Sequence, residues 1–175
     1  MLDVCRHIFS VDEVKKYIDI LAMHKMNRFH WHLTEDQGWR IEIKKYPNLT
    51  KVGSMRKETL VGLQTKKNNN YDGKPYGGFF TQEQVRDIVR YAAERYIEVI
   101  PEIDMPGHSK ALGVVHPDIL CNYKPNTSQT NGIDIRNVWC VAKESNYTII
   151  EDIIKELVEI FPSEYIHIGG DEVSF

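Results

Sequence analysis

Hydrophobic positions along the chain follow two spacings, which together predict alternating strands and helices. Apolar residues recur every three or four positions over residues 11–26, 85–96 and 147–161, as in amphipathic helices. Shorter apolar or alternating runs predict strands at Leu2–Ile8, Phe29–Leu33, Ile97–Ile103 and Tyr165–Ile168. Strands that alternate with helices pair in parallel through right-handed crossovers, so the expected fold is α/β with a parallel sheet.

Two of the predicted helices begin with a capping box. Ser10 and Glu13, and again Thr81 and Gln84, stand three residues apart, so that each side chain can satisfy a free backbone amide of the first helical turn. Between these helices, the polar stretch over residues 47–80 is long for a connection. Loops of that length carry function or lack order.

Polar residues gather where the predicted strands end. They are His7 after the first strand, Glu35 and Asp36 after the second, Asp104 and His108 after the third, and Asp171 and Glu172 after the fourth. In a (β/α)8 barrel the active site is built at this end of the strands, and a whole barrel takes about 250 residues. We therefore expect residues 1–175 to be one domain, a parallel (β/α) barrel of the TIM-barrel type with only about its first four βα units present.

Composition narrows the function classes. The chain has 42% hydrophobic and 27% charged residues and a net charge of −3, so it offers no basic surface for nucleic acid or an anionic membrane. No apolar run reaches the roughly 18 residues that a membrane span needs. Neither of the glycine-rich phosphate-binding motifs, G-x-G-x-x-G and G-x-x-x-x-G-K-[ST], follows a predicted strand. The sequence therefore lacks the phosphate-binding loop of a nucleotide-binding fold.

The strongest local motif is Gly169-Gly170-Asp171-Glu172. Two glycines after a buried strand allow the backbone to approach a ligand closely, and two carboxylates are then presented together. Paired carboxylates in one site have pKa values that are pushed apart, so that one can act as an acid while the other stays ionised. The alternative is a turn with a solvated acidic tip.

Asp104 and His108 suggest a carboxylate–imidazole pair that orients a proton or a nearby acid. A buried histidine satisfied by the backbone is the alternative. Trp39 lies in a segment near the expected mouth of the barrel, where its ring is suited to stacking on a sugar, or to packing under the long loop.

His30 and His32 share one face of a predicted strand, which is compatible with a metal site that Asp36 and Asp104 would complete. Local hydrogen bonding within the barrel wall is the favoured interpretation, so we expect no metal. Cys121 and Cys140 either form a disulfide across one loop or remain two free thiols.

Three motifs together resemble glycoside hydrolase family 20, the β-N-acetylhexosaminidases: residues 30–40 (HWHLTEDQGWR), residues 101–108 (PEIDMPGH) and residues 167–172 (HIGGDE). The resemblance covers nearly the whole chain in order. It implies a (β/α)8 catalytic barrel that removes terminal β-linked N-acetylglucosamine or N-acetylgalactosamine with retention, without a metal or an organic cofactor. In that mechanism the substrate's own acetamide carbonyl attacks the anomeric carbon.

The resemblance also implies roles for individual residues. Glu172 is expected to be the general acid/base, Asp171 to hold the acetamide, and His108 to support the acid with Glu35 behind it. Asp36 and Asp104 are expected to support the same group, and His32 and Trp39 to contact the sugar. The better-known members of the family have Asp-Asp where this chain has Glu35-Asp36, so the extra methylene moves the carboxylate that supports His108 but keeps its charge, and we expect the role to be kept.

The residues that match the family supply only about half of its active site. A sugar-binding arginine of the family would precede Met1, and a tyrosine and several aromatic residues would come from the second half of the barrel. We therefore expect these 175 residues alone to be inactive and to self-associate. Similarity to relatives favours the Cys121–Cys140 disulfide and a periplasmic, secreted or lysosomal location. A metal-dependent hydrolase and a non-catalytic sugar-binding fragment are the alternatives.

Overall fold

A computed structural model describes residues 1–63, 68, 70–121 and 138–173. The long helices are α1 (Val11–Met23), α3 (Gln82–Ala93) and α5 (Glu144–Val158), and the short ones are α2 (Asn48–Lys51), α4 (Lys110–Val115) and a 3₁₀ turn at Pro117–Ile119. The strands are β1 (Leu2–Asp3), β2 (Arg28–His32), β3 (Thr34–Glu35), β4 (Gly38–Trp39), β5 (Met55–Arg56), β6 (Tyr76–Gly77) and β7 (Glu98–Glu102).

The sheet is parallel, as expected, with the strands in the order β1-β2-β7. A single parallel bridge between Glu102 and His167 continues the sheet past β7, and Ile103 N–H donates to His167 O at 3.0 Å. The predicted fourth strand over residues 165–168 is therefore reduced to one bridging residue. Pro101 fits inside β7 because only its carbonyl is used there, accepting from His167 N–H at 2.9 Å.

The first strand is shorter than the predicted Leu2–Ile8. The carboxylate of Asp3 accepts hydrogen bonds from Cys5 N–H at 2.7 Å and Arg6 N–H at 3.2 Å. An aspartate that takes up the next backbone amides turns the chain out of an extended path. The strand therefore ends at Asp3, and Arg6 is free to lean back over the end of the sheet.

Both predicted capping boxes form, at Ser10 with Glu13 and at Thr81 with Gln84. The α1 helix ends at Met23 instead of residue 26, because the chain closes in a tight turn in which Lys25 has a positive φ of 60°. The α5 helix begins and ends three residues earlier than the predicted 147–161. These shifts leave the order of strands and helices unchanged.

The two faces of β2 carry different chemistry. Phe29 and Trp31 are buried in the hydrophobic core, where Trp31 also packs edge-on against Phe80. His30 and His32 point to the opposite face, and both contact Glu102 of the neighbouring strand. The helix side of the sheet is thus apolar, and the other face carries a polar layer that leads to the strand ends.

The Arg40 guanidinium fixes the loops around the strand ends. It is fully buried, and its three shortest hydrogen bonds go to the backbone carbonyls of Ser54 at 2.6 Å, Gly78 at 2.8 Å and Cys5 at 2.7 Å. These carbonyls belong to the segment after β1 and to two points of the long polar stretch. In its described part, this stretch holds α2, β5 and β6, so it is ordered structure that frames the site.

Cys121 and Cys140 form a disulfide, which decides between the two alternatives that the sequence left open. Residues 122–137, which lie between these cysteines, are outside the described residues. Among the helices that the structure describes, none combines the length and the apolar character required for a membrane crossing.

Candidate active site

Loops after three neighbouring strand positions converge on His108. Its Nδ1 lies 3.0 Å from Oε1 of Glu35, and its Nε2 lies 3.4 Å from Oε2 of Glu172 and 3.7 Å from Oδ2 of Asp171. His108 is 7% exposed and Glu35 1%, whereas the side chains of Asp171 and Glu172 are 66% and 69% exposed. The arrangement presents two accessible carboxylates over a buried imidazole, which itself rests on a buried carboxylate.

Glu35 is held by cations and imidazoles. It closes the β3–β4 hairpin, and besides His108 it meets Arg6 Nη2 at 3.3 Å and His32 Nε2 at 3.6 Å. The contact of Glu35 Oε1 with His108 is an ion-pair distance without an aligned hydrogen bond in the described structure. A buried carboxylate needs such partners to remain charged.

The backbone at the site is strained. His108 has φ of 48° and Glu172 has φ of 50°, both in the left-handed region that side chains other than glycine seldom adopt. Such conformations cost of order 1–3 kcal/mol each and persist where the surrounding structure holds them, which is frequently at functional sites. Here they turn the two side chains toward each other.

Glycines bring the two loops together. Gly169 has φ of +69°, and a Cβ at this position would overlap the carboxylate of Asp104. A Cβ at Gly107 would lie 3.2 Å from the carbonyl oxygen of Asp171. The loop that carries His108 can approach the Asp171-Glu172 loop this closely because both positions lack a side chain.

Asp104 supports the carboxylate loop instead of pairing with His108 as expected. Its Oδ1 accepts from Gly170 N–H at 3.3 Å, and its own N–H donates to Thr34 Oγ1 at 2.9 Å. Burial, and then the negative charge of Asp171, raise the pKa of Asp104 to about 6. The carboxylate at ion-pair distance from His108 Nδ1 is that of Glu35, because Asp104 is turned toward Gly170.

Asp36 acts on the helix that follows His108. It is fully buried, and its Oδ1 accepts from Lys110 N–H at 3.0 Å, at the first residue of α4. A side-chain acceptor at this place satisfies a backbone amide that the helix leaves free. Asp36 therefore fixes the segment just beyond His108.

Two expected sugar contacts are placed differently from their prediction. Trp39 is 2% exposed and its indole N–H donates to Ile41 O at 2.7 Å, so its ring packs beneath the site with no open face for a sugar. His32 is 5% exposed and lies between Glu102 and Glu35. The sequence could not separate these roles because Trp39 belongs to a strand of only two residues, which is too short for a periodicity that shows which way the ring faces.

The four residues considered as metal ligands do not meet at one point. Nε2 of His30 and Nδ1 of His32 lie 2.5 and 2.7 Å from the same oxygen of Glu102. Asp36 instead lies with Glu35 and His108, and Asp104 with His32 and Glu35, among the described residues that could share an ion. The favoured expectation of local hydrogen bonding describes His30 and His32.

Sequence reasoning missed Arg6 and Glu102. Arg6 Nη1 lies 3.0 Å from Asp3, and Arg6 Nη2 lies 3.3 Å from Glu35. Arg6 therefore links the end of β1 to the buried Glu35 carboxylate. Glu102 pairs in register with His32 across β2 and β7. One signal was available, since Glu102 and Glu98 are the only charged residues in a predicted strand whose other positions are apolar.

Comparison with known proteins places the chain. The family described as glycosyl hydrolase family 20, catalytic domain, matches residues 1–175. A beta-hexosaminidase of Porphyromonas gingivalis is 54% identical over 98% of this chain and 21% of its own length. The chain thus spans about a fifth of that relative, and 28% of a Vibrio furnissii beta-hexosaminidase that is 44% identical over 99% of this chain.

Solved structures that resemble this chain belong to proteins of the same kind. A beta-N-acetylhexosaminidase crystal structure superposes with a TM-score of 0.87 at 38% identity, covering 98% of this chain and 35% of the other. A mutant Streptomyces plicatus beta-hexosaminidase in complex with the product GlcNAc matches with a TM-score of 0.82 at 43% identity, covering 98% of this chain and 32% of the other. With its full length matched and its strand-end motifs gathered around His108, this chain belongs to glycosyl hydrolase family 20 and lies within that family's catalytic domain.

Proposed function

We propose that the complete protein hydrolyses terminal β-linked N-acetylhexosamine with retention, using the substrate's acetamide group as the nucleophile. The observation that carries this proposal is the convergence of Asp171 and Glu172 on His108, with Glu35 behind the imidazole. Two accessible carboxylates side by side suit a reaction in which one moves a proton and the other holds a polar group of the substrate.

In the first step, Glu172 donates its proton to the glycosidic oxygen as the bond from that oxygen to the anomeric carbon breaks. The acetamide carbonyl oxygen forms a bond to the anomeric carbon from the opposite face. Asp171 accepts the amide N–H and stabilises the positive charge that develops on the acetamide, so it must be ionised. The first product leaves as an alcohol that carries the proton of Glu172.

In the second step, Glu172 takes a proton from water, and the water oxygen attacks the anomeric carbon. The acetamide carbonyl leaves, and the second inversion restores the original configuration. His108 contacts Glu172 from the protein side at 3.4 Å, so it can orient the carboxyl in both steps. Since Glu35 lies 3.0 Å from the other ring nitrogen, it fixes the direction in which the imidazole faces.

The proposal also states which part of the catalytic barrel these residues form. Residues 1–175 supply about the first four βα units of a (β/α)8 barrel, with β1, β2, β7 and the His167 bridge as neighbouring wall positions. The site would be completed by residues outside this segment, and its partner is a carbohydrate with a terminal β-linked N-acetylhexosamine. The disulfide supports a location in an oxidising compartment: periplasmic, secreted or lysosomal.

The test compares two substrates that differ only at the sugar C2 position, an aryl N-acetyl-β-glucosaminide and the aryl β-glucoside. We expect the complete protein to hydrolyse the first and to leave the second intact, because the hydroxyl cannot replace the acetamide carbonyl. Asp171→Asn should reduce kcat on the first substrate by about 10²-fold or more, as expected for loss of a charged group that acts in the transition state. Equal hydrolysis of both substrates would require a nucleophile from the protein and would refute the proposal.

A further inference from the structure

Glu35 contacts an imidazole with each of its carboxylate oxygens. Oε1 lies 3.0 Å from Nδ1 of His108, and Oε2 lies 3.6 Å from Nε2 of His32. Beyond His32, Nδ1 of the same ring lies 2.7 Å from Oε2 of Glu102. Carboxylates and imidazoles therefore alternate in one chain of contacts, which runs from Glu172 through His108, Glu35 and His32 to Glu102.

This chain of contacts is buried everywhere except at its catalytic end. Residue exposure is 7% at His108, 1% at Glu35, 5% at His32 and 4% at Glu102, whereas the Glu172 side chain is 69% exposed. Charges in a protein interior interact more strongly than in water, and an unpaired buried charge is costly. The orientation of each buried member therefore depends on the next.

The charges around His32 favour its imidazolium form. Burial alone would lower the pKa of His32, but the carboxylates of Glu102 and Glu35 outweigh burial and raise it to about 9. Arg6 opposes the charge, since its Nη1 lies 3.3 Å from His32 Nε2. The titratable groups that face His32 from the neighbouring elements are Asp3, Cys5, Arg6, Glu35, Glu102 and Asp104.

We propose that His32 and Glu102 are positioning residues for the acid Glu172, an inference that rests on the proposed function. Glu102 fixes the ring of His32, and His32 holds the far oxygen of Glu35. The near oxygen of Glu35 then faces His108, which contacts Glu172. Neither His32 nor Glu102 touches the substrate, so their effect belongs to the chemical step and not to sugar binding.

His30 provides a matched control. It lies on the same strand and the same face as His32, and its Nε2 is 2.5 Å from the same Oε2 of Glu102. His30 contacts Glu102 only at this end of the chain of contacts, whereas His32 contacts both Glu102 and Glu35. If only the contact with Glu102 mattered, His30→Gln and His32→Gln would both have an effect, whereas positioning of the acid predicts an effect of His32→Gln alone.

The experiment measures kcat and KM of the complete protein and of its His32→Gln, Glu102→Gln and His30→Gln variants. Each is assayed on a β-linked N-acetylglucosamine disaccharide, whose leaving group needs a proton, and on an activated aryl N-acetyl-β-glucosaminide, whose leaving group does not. We expect His32→Gln to lower kcat on the disaccharide by about 10-fold or more without changing KM, since misplacement of a catalytic group by about 1 Å can cost 10²-fold. The loss on the activated substrate should be smaller, and His30→Gln should stay within about 3-fold of wild type on both.

Three results would overturn the inference. They are equal losses on the two substrates, a rise in KM in place of a fall in kcat, and an equal effect of His30→Gln. If His32→Gln fails to fold, Glu102→Gln decides by the same criteria, because it removes the charge and keeps one acceptor oxygen in a side chain of nearly the same shape. A wild-type protein that hydrolyses neither N-acetyl substrate would instead refute the proposed function, and this inference with it.

Discussion

Gly169→Ala should damage both folding and catalysis, and the structure allows the size of the effect to be worked out. Gly169 has φ of +69°, where an alanine costs about 1–2 kcal/mol of backbone strain. The new Cβ would also overlap the carboxylate of Asp104, which must then move away from Gly170 N–H, now 3.3 Å from it. Loss of a hydrogen bond to a charged group costs about 1.5–3 kcal/mol, so the free energy of unfolding should fall by about 2.5–5 kcal/mol.

Gly73→Ala is the matched control, because Gly73 has φ of +63° and a Cβ there meets nothing within 4 Å. It should lose only the backbone strain of about 1–2 kcal/mol and keep full activity. Gly169→Ala also shifts the backbone that leads into Asp171 and Glu172, and displacement of these groups by about 1 Å should lower kcat roughly 10²-fold.

The measurement is denaturant unfolding of the complete protein and its two variants, together with kcat on an aryl N-acetyl-β-glucosaminide. The reasoning is refuted if the two variants lose the same stability, since the contact with Asp104 would then contribute nothing. It is also refuted if Gly169→Ala keeps wild-type kcat, because the loop would then tolerate a displaced Asp104.

Three further predictions concern pH, metal and the isolated segment. Burial alone would raise the pKa of Glu102, but His32 and His30 outweigh burial and lower this pKa to about 2, while the pKa of His32 is raised to about 9. The stability that Glu102→Gln loses should therefore be largest between about pH 4.5 and 6.5, where both groups are charged in the folded and the unfolded protein. Unfolding curves should show this loss shrinking as the pH rises through 9 or falls through 2. Prolonged dialysis against EDTA should leave hydrolysis unchanged, and a loss restored by one divalent metal would revive the metal-dependent alternative. The 175-residue chain alone should self-associate in light scattering and show no turnover, since its sheet has two open edges; an active monomer would contradict both expectations.

The order of strands and helices could be predicted because it depends on local signals. Capping boxes at Ser10 and Thr81 fix where helices begin, and hydrophobic spacing distinguishes helices from strands. The ends of the first and last strands could not be predicted, because they depend on backbone hydrogen bonds. Asp3 takes the amides that would have continued β1, and His167 is the single residue that bridges to β7.

The residues of the candidate site could be predicted where a sequence motif lies directly after a predicted strand. Glu35, His108, Asp171 and Glu172 come together because parallel strands end at one edge of the sheet. The direction of individual side chains was not predictable. Trp39 is buried with its indole N–H bonded to Ile41, and nothing in the sequence marks that difference from a tryptophan that faces a sugar.

Partners across the sheet were also missed, since they depend on register. Glu102 stands opposite His32 in the parallel pairing of β2 and β7, and Arg6 reaches Glu35 only because β1 ends early. Hydrophobic spacing within one sequence gives no information on either pairing. Arg6 contacts the buried Glu35 carboxylate directly, and Glu102 contacts His32, which in turn contacts Glu35, so the missing information concerned the support of the site and not its exposed groups.

Glu172→Gln in the complete protein tests the central claim most directly. The glutamine has nearly the same shape as the glutamic acid, but it has no acidic proton to transfer to the leaving group. We predict a fall in kcat of about 10²–10⁴-fold on a β-linked N-acetylglucosamine disaccharide, with little change in KM and a much smaller fall on an activated aryl N-acetyl-β-glucosaminide. Near-normal hydrolysis of the disaccharide by this variant would remove Glu172 from the acid role and contradict the account.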